Sequence, residues 1–410
     1  MSRPFEGLRV LDFAWAVAGP LVARPLADFG ATVVRVESSQ RLDTARLMGP
    51  FPKGKMNPQQ SGLFETCNAG KLGLTLDLTR EEGRAIVREL VRDWADVVIE
   101  SFSPGQMAQW GIGFEDLRQL RPDLLMVSTS LMGQTGPWSA FSGFGNVGAA
   151  VSGYQAIVGW PDALPVGPFG PYTDFTGPRF ALVALLAALD HRRRTGGGGW
   201  LDVSQAEAGM QFLAPQLAHC AATGTIAAPQ GNRDAQMAPH GVFACRPTAP
   251  NEEGWVAIAV RSDREWQRLA TLIGGPQLAN DPRYVSLSSR QEHEDALEAI
   301  VQAWTAELTP QEVEAALQAI GVPAHNVASS EDMAVDPQLL ARQHFVKLPH
   351  PLMDQGQTTI ENARYRLSET PAAPPRAAPH FGRDNAYVLG TLLGYPPERI
   401  KALDDAGVLR

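Results

Sequence analysis

At 410 residues, with 44% hydrophobic and 19% charged residues, the chain has ample material for a buried core and is neither disordered nor fibrous in composition. A formal net charge of −9 and a pI near 5.5 exclude the broad basic face that nucleic acid requires. Three widely spaced cysteines, Cys67, Cys220 and Cys245, show no CxxC and no Cys/His ligand spacing. That excludes a disulfide framework and a motif-type metal centre, and it fits a reducing compartment.

The opening MSRPFEGLRVLDF has no basic region followed by a long apolar one, and no stretch is apolar for long enough to span a membrane. The sequence therefore reads as cytoplasmic, without a membrane partner. LRVLDF (8–13) predicts a strand, GPLVARPLADFG (19–30) a helix and TVVRVE (32–37) a second strand, a βαβ unit without GxGxxG. Small residues at 16–20 either admit a ligand to the backbone or only allow tight strand–helix packing.

Residues 38–70 read as irregular. A strand follows at 72–78, then a helix at 80–94 opened by a Thr79/Glu82 capping box. A strand at 96–101 leads into FSPG and a helical stretch from Gly105 to about Arg121, and a strand at 124–130 ends in MGQTGPW. Alternating apolar strands and helices predict an α/β, doubly wound, Rossmann-like parallel sheet, and such sheets bind ligands beyond the carboxyl ends of their strands.

Residues 166–190 place one acid, Asp174, in a Gly/Pro-rich turn before FALVALLAAL, which reads as a buried core helix starting at Phe180. Asp174 is either the helix N-cap or a nucleophilic carboxylate, and position alone does not choose. HRRRTGGGGW (191–200) lacks the GK[ST] of a phosphate loop and reads as a helix-to-strand connection. A helix is expected at 205–223. The composition then changes, with a strand at 255–260, helices at 263–273, 290–306 and 310–320, and a strand near 357–366. The expected domains are 1–223, a large Rossmann-like domain with Asp174; 224–325, a smaller α+β domain; and 326–410, a return segment completing the large one.

Taken together, GLRVLDFAWAVAGPLVARPLADFGATVVRVE, NAGKLGLTLDLTREEG, DVVIESFSPGQMAQWGIGFEDL, GQTGPW, YTDFTG, HRRRTGGGGWLDVS and GVPAHNVASSEDMAVDPQLLARQ resemble, in order and spacing, the family III CoA-transferases. These include formyl-CoA transferase and carnitine CoA-transferase, with α-methylacyl-CoA racemase as a relative. The resemblance implies an acyl-CoA:carboxylate CoA-transferase and an interlaced homodimer. It also implies coenzyme A or acyl-CoA as substrate rather than tightly bound cofactor, a small carboxylic acid as partner, and no metal. Asp174 matches the aspartate that carries an aspartyl-CoA thioester.

Positions matching the family's CoA contacts are Val17 and Ala18; Leu76, Asp77, Leu78 and Thr79; Ser101, Phe102 and Ser103; and Gly143, Phe144 and Gly145. Where relatives often carry Asn or Arg, this chain has Ser38, Ser101, Ser103 and Gln109. The phosphates of CoA then fall to Arg35, Arg41, Arg46 or Lys71, although Arg46 and Lys71 each read as solvated surface charges. Arg24 and Arg179 are candidate contacts for a second substrate carboxylate, against ordinary ion pairing, and they suggest a dicarboxylate donor such as succinyl-CoA.

A racemase would need a histidine where this chain has Phe144, and a phenyl ring moves no proton. His240 reads as a structural, hydrogen-bonded histidine. The remaining alternatives are a non-catalytic or partner subunit of a heteromeric transferase, possible as a heterodimer with a paralogue, and a nicotinamide-dependent dehydrogenase that lacks its GxGxxG.

Overall fold

The computed structural model describes residues 3–249 and 253–410. In chain order the first half runs β1 (Arg9–Asp12), α1 (Pro20–Asp28), β2 (Thr32–Glu37), α2 (Thr44–Leu47), α3 (Gly62–Asn68), β3 (Leu72–Thr75), α4 (Glu81–Asp93), β4 (Val97–Glu100), α5 (Gln106–Gln109) and α6 (Phe114–Leu120). It continues with β5 (Leu125–Ser130), α7 (Gly145–Ser152), α8 (Tyr154–Ile157), α9 (Tyr172–Thr195), β6 (Gly199–Ser204), α10 (Gln205–Met210) and α11 (Ala214–Thr223). The chain divides into two compact units: 1–155 with 167–226 and 337–410, and 156–166 with 227–336.

The first unit is built on a six-stranded sheet, ordered β3-β2-β1-β4-β5-β6, with every pair parallel. Alternate residues serve its two faces. Leu11, Val34, Leu74, Val98 and Met126 pack with Ile86, Val87 and Leu90 of α4 and Leu117 of α6. Val10, Val33, Val97, Ile99 and Val127 pack with Val22 and Leu26 of α1 and Ala181 and Leu185 of α9. Burial on both faces is why these strands read as continuous apolar runs. β1 has β2 on one side and β4 on the other, so the connections diverge there and open a crevice at the carboxyl ends.

The α/β doubly wound expectation holds, and several local expectations need correction. Residues 38–70 are not wholly irregular: α3 begins at a Ser61 cap whose hydroxyl accepts the Phe64 N–H at 3.2 Å. Thr79 does not cap α4. Its hydroxyl donates to Asp77 Oδ1 at 2.6 Å in a local turn, and the N-cap residue is Arg80. The stretch 105–121 holds two short helices, α5 and α6, separated at Gly111 by a positive φ of 66°. α9 begins at Tyr172, eight residues before Phe180, and takes Gly177 and Pro178 into its body. It is not fully buried either: Ala181 and Leu185 face the sheet, while Phe175, Val183 and Leu186 are exposed.

The second unit carries an antiparallel sheet, ordered β7 (His240–Cys245), β8 (Gly254–Ala259) and β9 (Ala324–Asn326). Its core gathers Trp266, Leu269, Tyr284, Leu297, Val301, Val313 and Leu317. Residues 156–166 belong here through contacts such as the Gly231 N–H to the Gly159 carbonyl, 2.8 Å. The His240 ring is hydrogen-bonded through Nδ1 to the Asn232 carbonyl, as a structural histidine would be. The C-terminal tail returns to the first unit: the Asp77 N–H donates to Val408 O at 2.9 Å and the Thr75 hydroxyl to Leu409 O at 3.0 Å.

Candidate active site

The turn after β1 is held by charges from other elements. Asp12, fully buried, accepts the Ala14 N–H at 3.0 Å and the Lys71 ammonium at 2.6 Å. Asp43 accepts the N–H groups of Ala16 at 2.8 Å and Ala45 at 2.9 Å and pairs with Arg35. Those bonds hold Ala16 at φ 58°, a left-handed conformation an alanine adopts only under constraint. The Trp15 N–H donates to Ser101 Oγ at 2.8 Å and so ties the β1 turn to the turn after β4. A Cβ at Gly19 would lie 2.2 Å from the Ala14 Cβ, so glycine is required where the turn enters α1.

The buried charges revise the phosphate candidates. Lys71 is fully buried between Asp12, the Asn68 carbonyl oxygen of its side chain and the Pro20 backbone oxygen, and burial lowers its pKa to about 8. Arg46, also buried, binds both Glu37 oxygens, at 2.8 and 2.6 Å, and its guanidinium lies over Phe64. Neither is a solvated surface charge, and with Arg35 they are committed to internal pairs. Only Arg41 of the four is exposed, its guanidinium 5.5 Å from the Trp15 ring centre. Cys67 is buried in the same region, and burial pushes its thiol up to about 12, which makes it inert.

Between the β1, β4 and β5 turns lies a cavity of about 340 Å³ that Asp174 lines. Asp174 is 4% exposed in the first turn of α9, whose N-cap position is Pro171, so Asp174 does not cap the helix. Burial raises its carboxyl to about 6, opposed by the backbone N–H of Gly145 and the side-chain amide of Gln205, which both face it. Gly145 opens α7 in close contact with α9: a Cβ there would lie 2.5 Å from the Asp174 nitrogen and from the Pro171 oxygen. The Thr173 hydroxyl sits 3.1 Å from the Gly145 carbonyl oxygen and 3.4 Å from Gln205 Oε1.

Of the residues singled out in the sequence, Ala18, Ser101, Phe102, Ser103, Gly143, Phe144 and Asp174 line this cavity. Val17 packs instead with Leu21 and Cys67. Leu76–Thr79 follow β3, on the same carboxyl edge but two strands from β1, about 10 Å away. Arg24 is buried against Asp28 at 2.8 Å, and Arg179 is exposed on α9; neither lines the cavity. Sequence reasoning missed Gln205 and Thr129 as wall residues, whereas Arg41, named as a phosphate candidate, does line the cavity. Gln205 carried no signal beyond its place after a strand, at a carboxyl end.

Behind the Ser101–Ser103 turn, Glu100 is buried and accepts the Phe102 N–H at 2.7 Å; burial raises its carboxyl to about 7. Among the described residues, no group of three His, Cys, Asp or Glu side chains is arranged to hold a metal, and no helix is long and apolar enough to cross a membrane.

The profile of CoA-transferase family III matches residues 5–385. Succinyl-CoA–D-citramalate CoA-transferase of Chloroflexus aurantiacus is 33% identical over 99% of this chain and 98% of its own length. The succinyl-CoA–L-malate CoA-transferase alpha subunit of Chloroflexus aurantiacus is 32% identical over 98% of this chain and 91% of its own length. Among solved structures, a CAIB/BAIF family protein from Brucella suis superposes with a TM-score of 0.85 at 30% identity, covering 96% of this chain and 100% of that one.

Proposed function

The chain belongs to CoA-transferase family III and is an enzyme of that class, and we propose that it moves CoA from an acyl-CoA to a small carboxylic acid through Asp174. The observation that carries this reading is one buried carboxylate, faced by two N–H donors, in the cavity at the point where the sheet connections diverge. The Asp174 carboxylate attacks the donor thioester carbonyl, giving a mixed anhydride and CoA thiolate. The thiolate attacks the aspartyl carbonyl, releasing the donor's carboxylate and leaving an aspartyl-CoA thioester. The acceptor carboxylate attacks that thioester, and the thiolate then takes the acyl group from the new anhydride, freeing Asp174. One difficult exchange becomes a series of easier ones.

CoA enters and leaves as a substrate, its length laid along the carboxyl edge past Ser101–Ser103 toward Leu76–Thr79. Arg41, exposed at the cavity, takes a phosphate or an outer carboxylate. A dicarboxylate donor is the favoured class, because the names of both relatives above include succinyl-CoA. Phe144 in the cavity wall supplies no base for racemisation. We place the enzyme in the cytoplasm as a homodimer, interlaced as the family resemblance implies.

Intact-protein mass spectrometry after mixing with a panel of acyl-CoAs tests the reading. The expected result is a CoA-sized adduct on the native chain, absent from Asp174→Ala and discharged by one class of carboxylic acid. A native chain that binds CoA yet forms no adduct with any donor points to the partner-subunit alternative.

A further inference from the structure

We propose, building on the reading that Asp174 is acylated, that the side-chain amide of Gln205 joins the Gly145 N–H as a two-donor oxyanion site for the tetrahedral intermediates at the Asp174 carbonyl. The family resemblance assigns no role to Gln205. The structure places Gln205 at the start of α10, 8% exposed, in the wall of the cavity beside Asp174.

Two features fix its amide there. The Thr173 hydroxyl, fully buried, donates its one hydrogen to the Gly145 carbonyl at 3.1 Å and lies 3.4 Å from Gln205 Oε1, so one group packs against the residues that supply both donors. With Oε1 turned to Thr173, Nε2 is the end left for the carboxylate. Gly177 on the next turn of α9 makes room: a Cβ there would meet Gln205 Cγ at 3.3 Å. The second donor, Gly145 N–H, belongs to the first turn of α7, an eight-residue helix whose N-terminal dipole adds to its pull on negative charge.

The chemistry needs donors at this spot. When CoA thiolate adds to the aspartyl carbonyl of the anhydride, a C–S bond forms and the π pair moves onto the carbonyl oxygen. Collapse returns that pair, breaks the C–O bond to the acyl group and releases a free carboxylate. The same oxygen gains and loses a full charge in each exchange at this carbon. In the resting carboxylate the charge is spread over two oxygens, so the donors bind the intermediate more strongly than the ground state, the condition for lowering a barrier.

The test follows the rate of CoA-adduct formation on the full-length protein mixed with an acyl-CoA donor and no acceptor. Gln205→Leu keeps the volume and removes the donor. The expected outcome is adduct formation slowed by about 100-fold, with KM for the acyl-CoA within about threefold of native. A rate equal to native overturns the oxyanion role and leaves Asp174 as nucleophile untouched. No adduct on the native chain with any donor overturns the Asp174 reading, and this proposal with it.

Should Gln205→Leu fail to fold, Gln205→Glu decides the question through its pH profile. Two ionised carboxylates provide no donor, whereas a pair sharing one proton does. The deficit relative to native is therefore expected to shrink as pH falls from about 9 toward about 7. A deficit that stays constant over that range is a structural effect and overturns the proposal.

Discussion

Asp174 shows how a candidate site residue works against stability. Its carboxyl is raised from an ordinary value of 3.8 to about 6, chiefly by burial. For an acid with a raised folded pKa, the folded state is fully favoured below the unfolded value and loses stability as pH rises through the folded value. The window is therefore about pH 4 to 6, and above it the protein carries the cost of a buried charge. Asp174→Asn is expected to raise stability at pH 8 by on the order of 1–3 kcal/mol while abolishing adduct formation, with the gain vanishing below about pH 4. Thermal melts at the two pH values check this; a variant no more stable than native at pH 8 refutes the burial argument. The native rate of acylation should fall as pH drops through about 6, because only the carboxylate attacks. At this scale the sequence was informative about which loop residues meet in the cavity, as at Asp174 and Ser101–Ser103. It misled on Lys71 and Arg46, whose partners Asp12 and Glu37 lie on β1 and β2; burial of a charge is decided by a residue 59 positions away for Lys71.

Two helices, α7 and α9, pack together beside Asp174, and their spacing is set by glycine. α7 can reach α9 only because Gly145 has no Cβ. Gly145→Ala is expected to push α7 away from Asp174, destabilise by about 1–3 kcal/mol and slow adduct formation at least ~100-fold. Gly199→Ala, where an added Cβ meets nothing within 4 Å, is the control and should match native. Equal activity of the two variants would show that the α7–α9 contact does not shape the nucleophile's surroundings. The alternating strands and helices were legible because β1 to β5 are buried on both faces. The start of α9 was not: the sequence reading begins the helix with the apolar run at Phe180, whereas the structure starts it at Tyr172 and carries it through Gly177 and Pro178. α3 was missed for a related reason: GLFETCN is short and weakly periodic, and its Ser61 cap becomes visible only once Phe64 is packed.

At the scale of the whole molecule, a parallel sheet with helices on both faces was legible in the alternation of strands and helices, while the strand order came only with the structure. What a single chain leaves uncovered was not legible either. The outer side of α9 exposes Phe175, Phe180, Val183 and Leu186, and Phe180 meets the exposed ring of Phe212 at 5.9 Å between centres. FALVALLAAL is apolar all round, yet its single chain covers only one side. Apolar surface gathered on one helix face marks an interface, and a second copy of this chain is the occupant that the homodimer reading supplies. Val183→Glu combined with Leu186→Glu is expected to convert a particle of twice 44.2 kDa into one of 44.2 kDa by light scattering, since two buried unpaired charges per copy outweigh the contacts they replace. A double variant that keeps the native particle mass places the subunit contact elsewhere. A native particle of 44.2 kDa removes the homodimer altogether, and α9 would then have to be covered by a different subunit, as the alpha-subunit name of one relative allows. If the variant is monomeric and still forms the Asp174 adduct, one chain holds a complete site; if it forms none while keeping its fold, the second copy completes it.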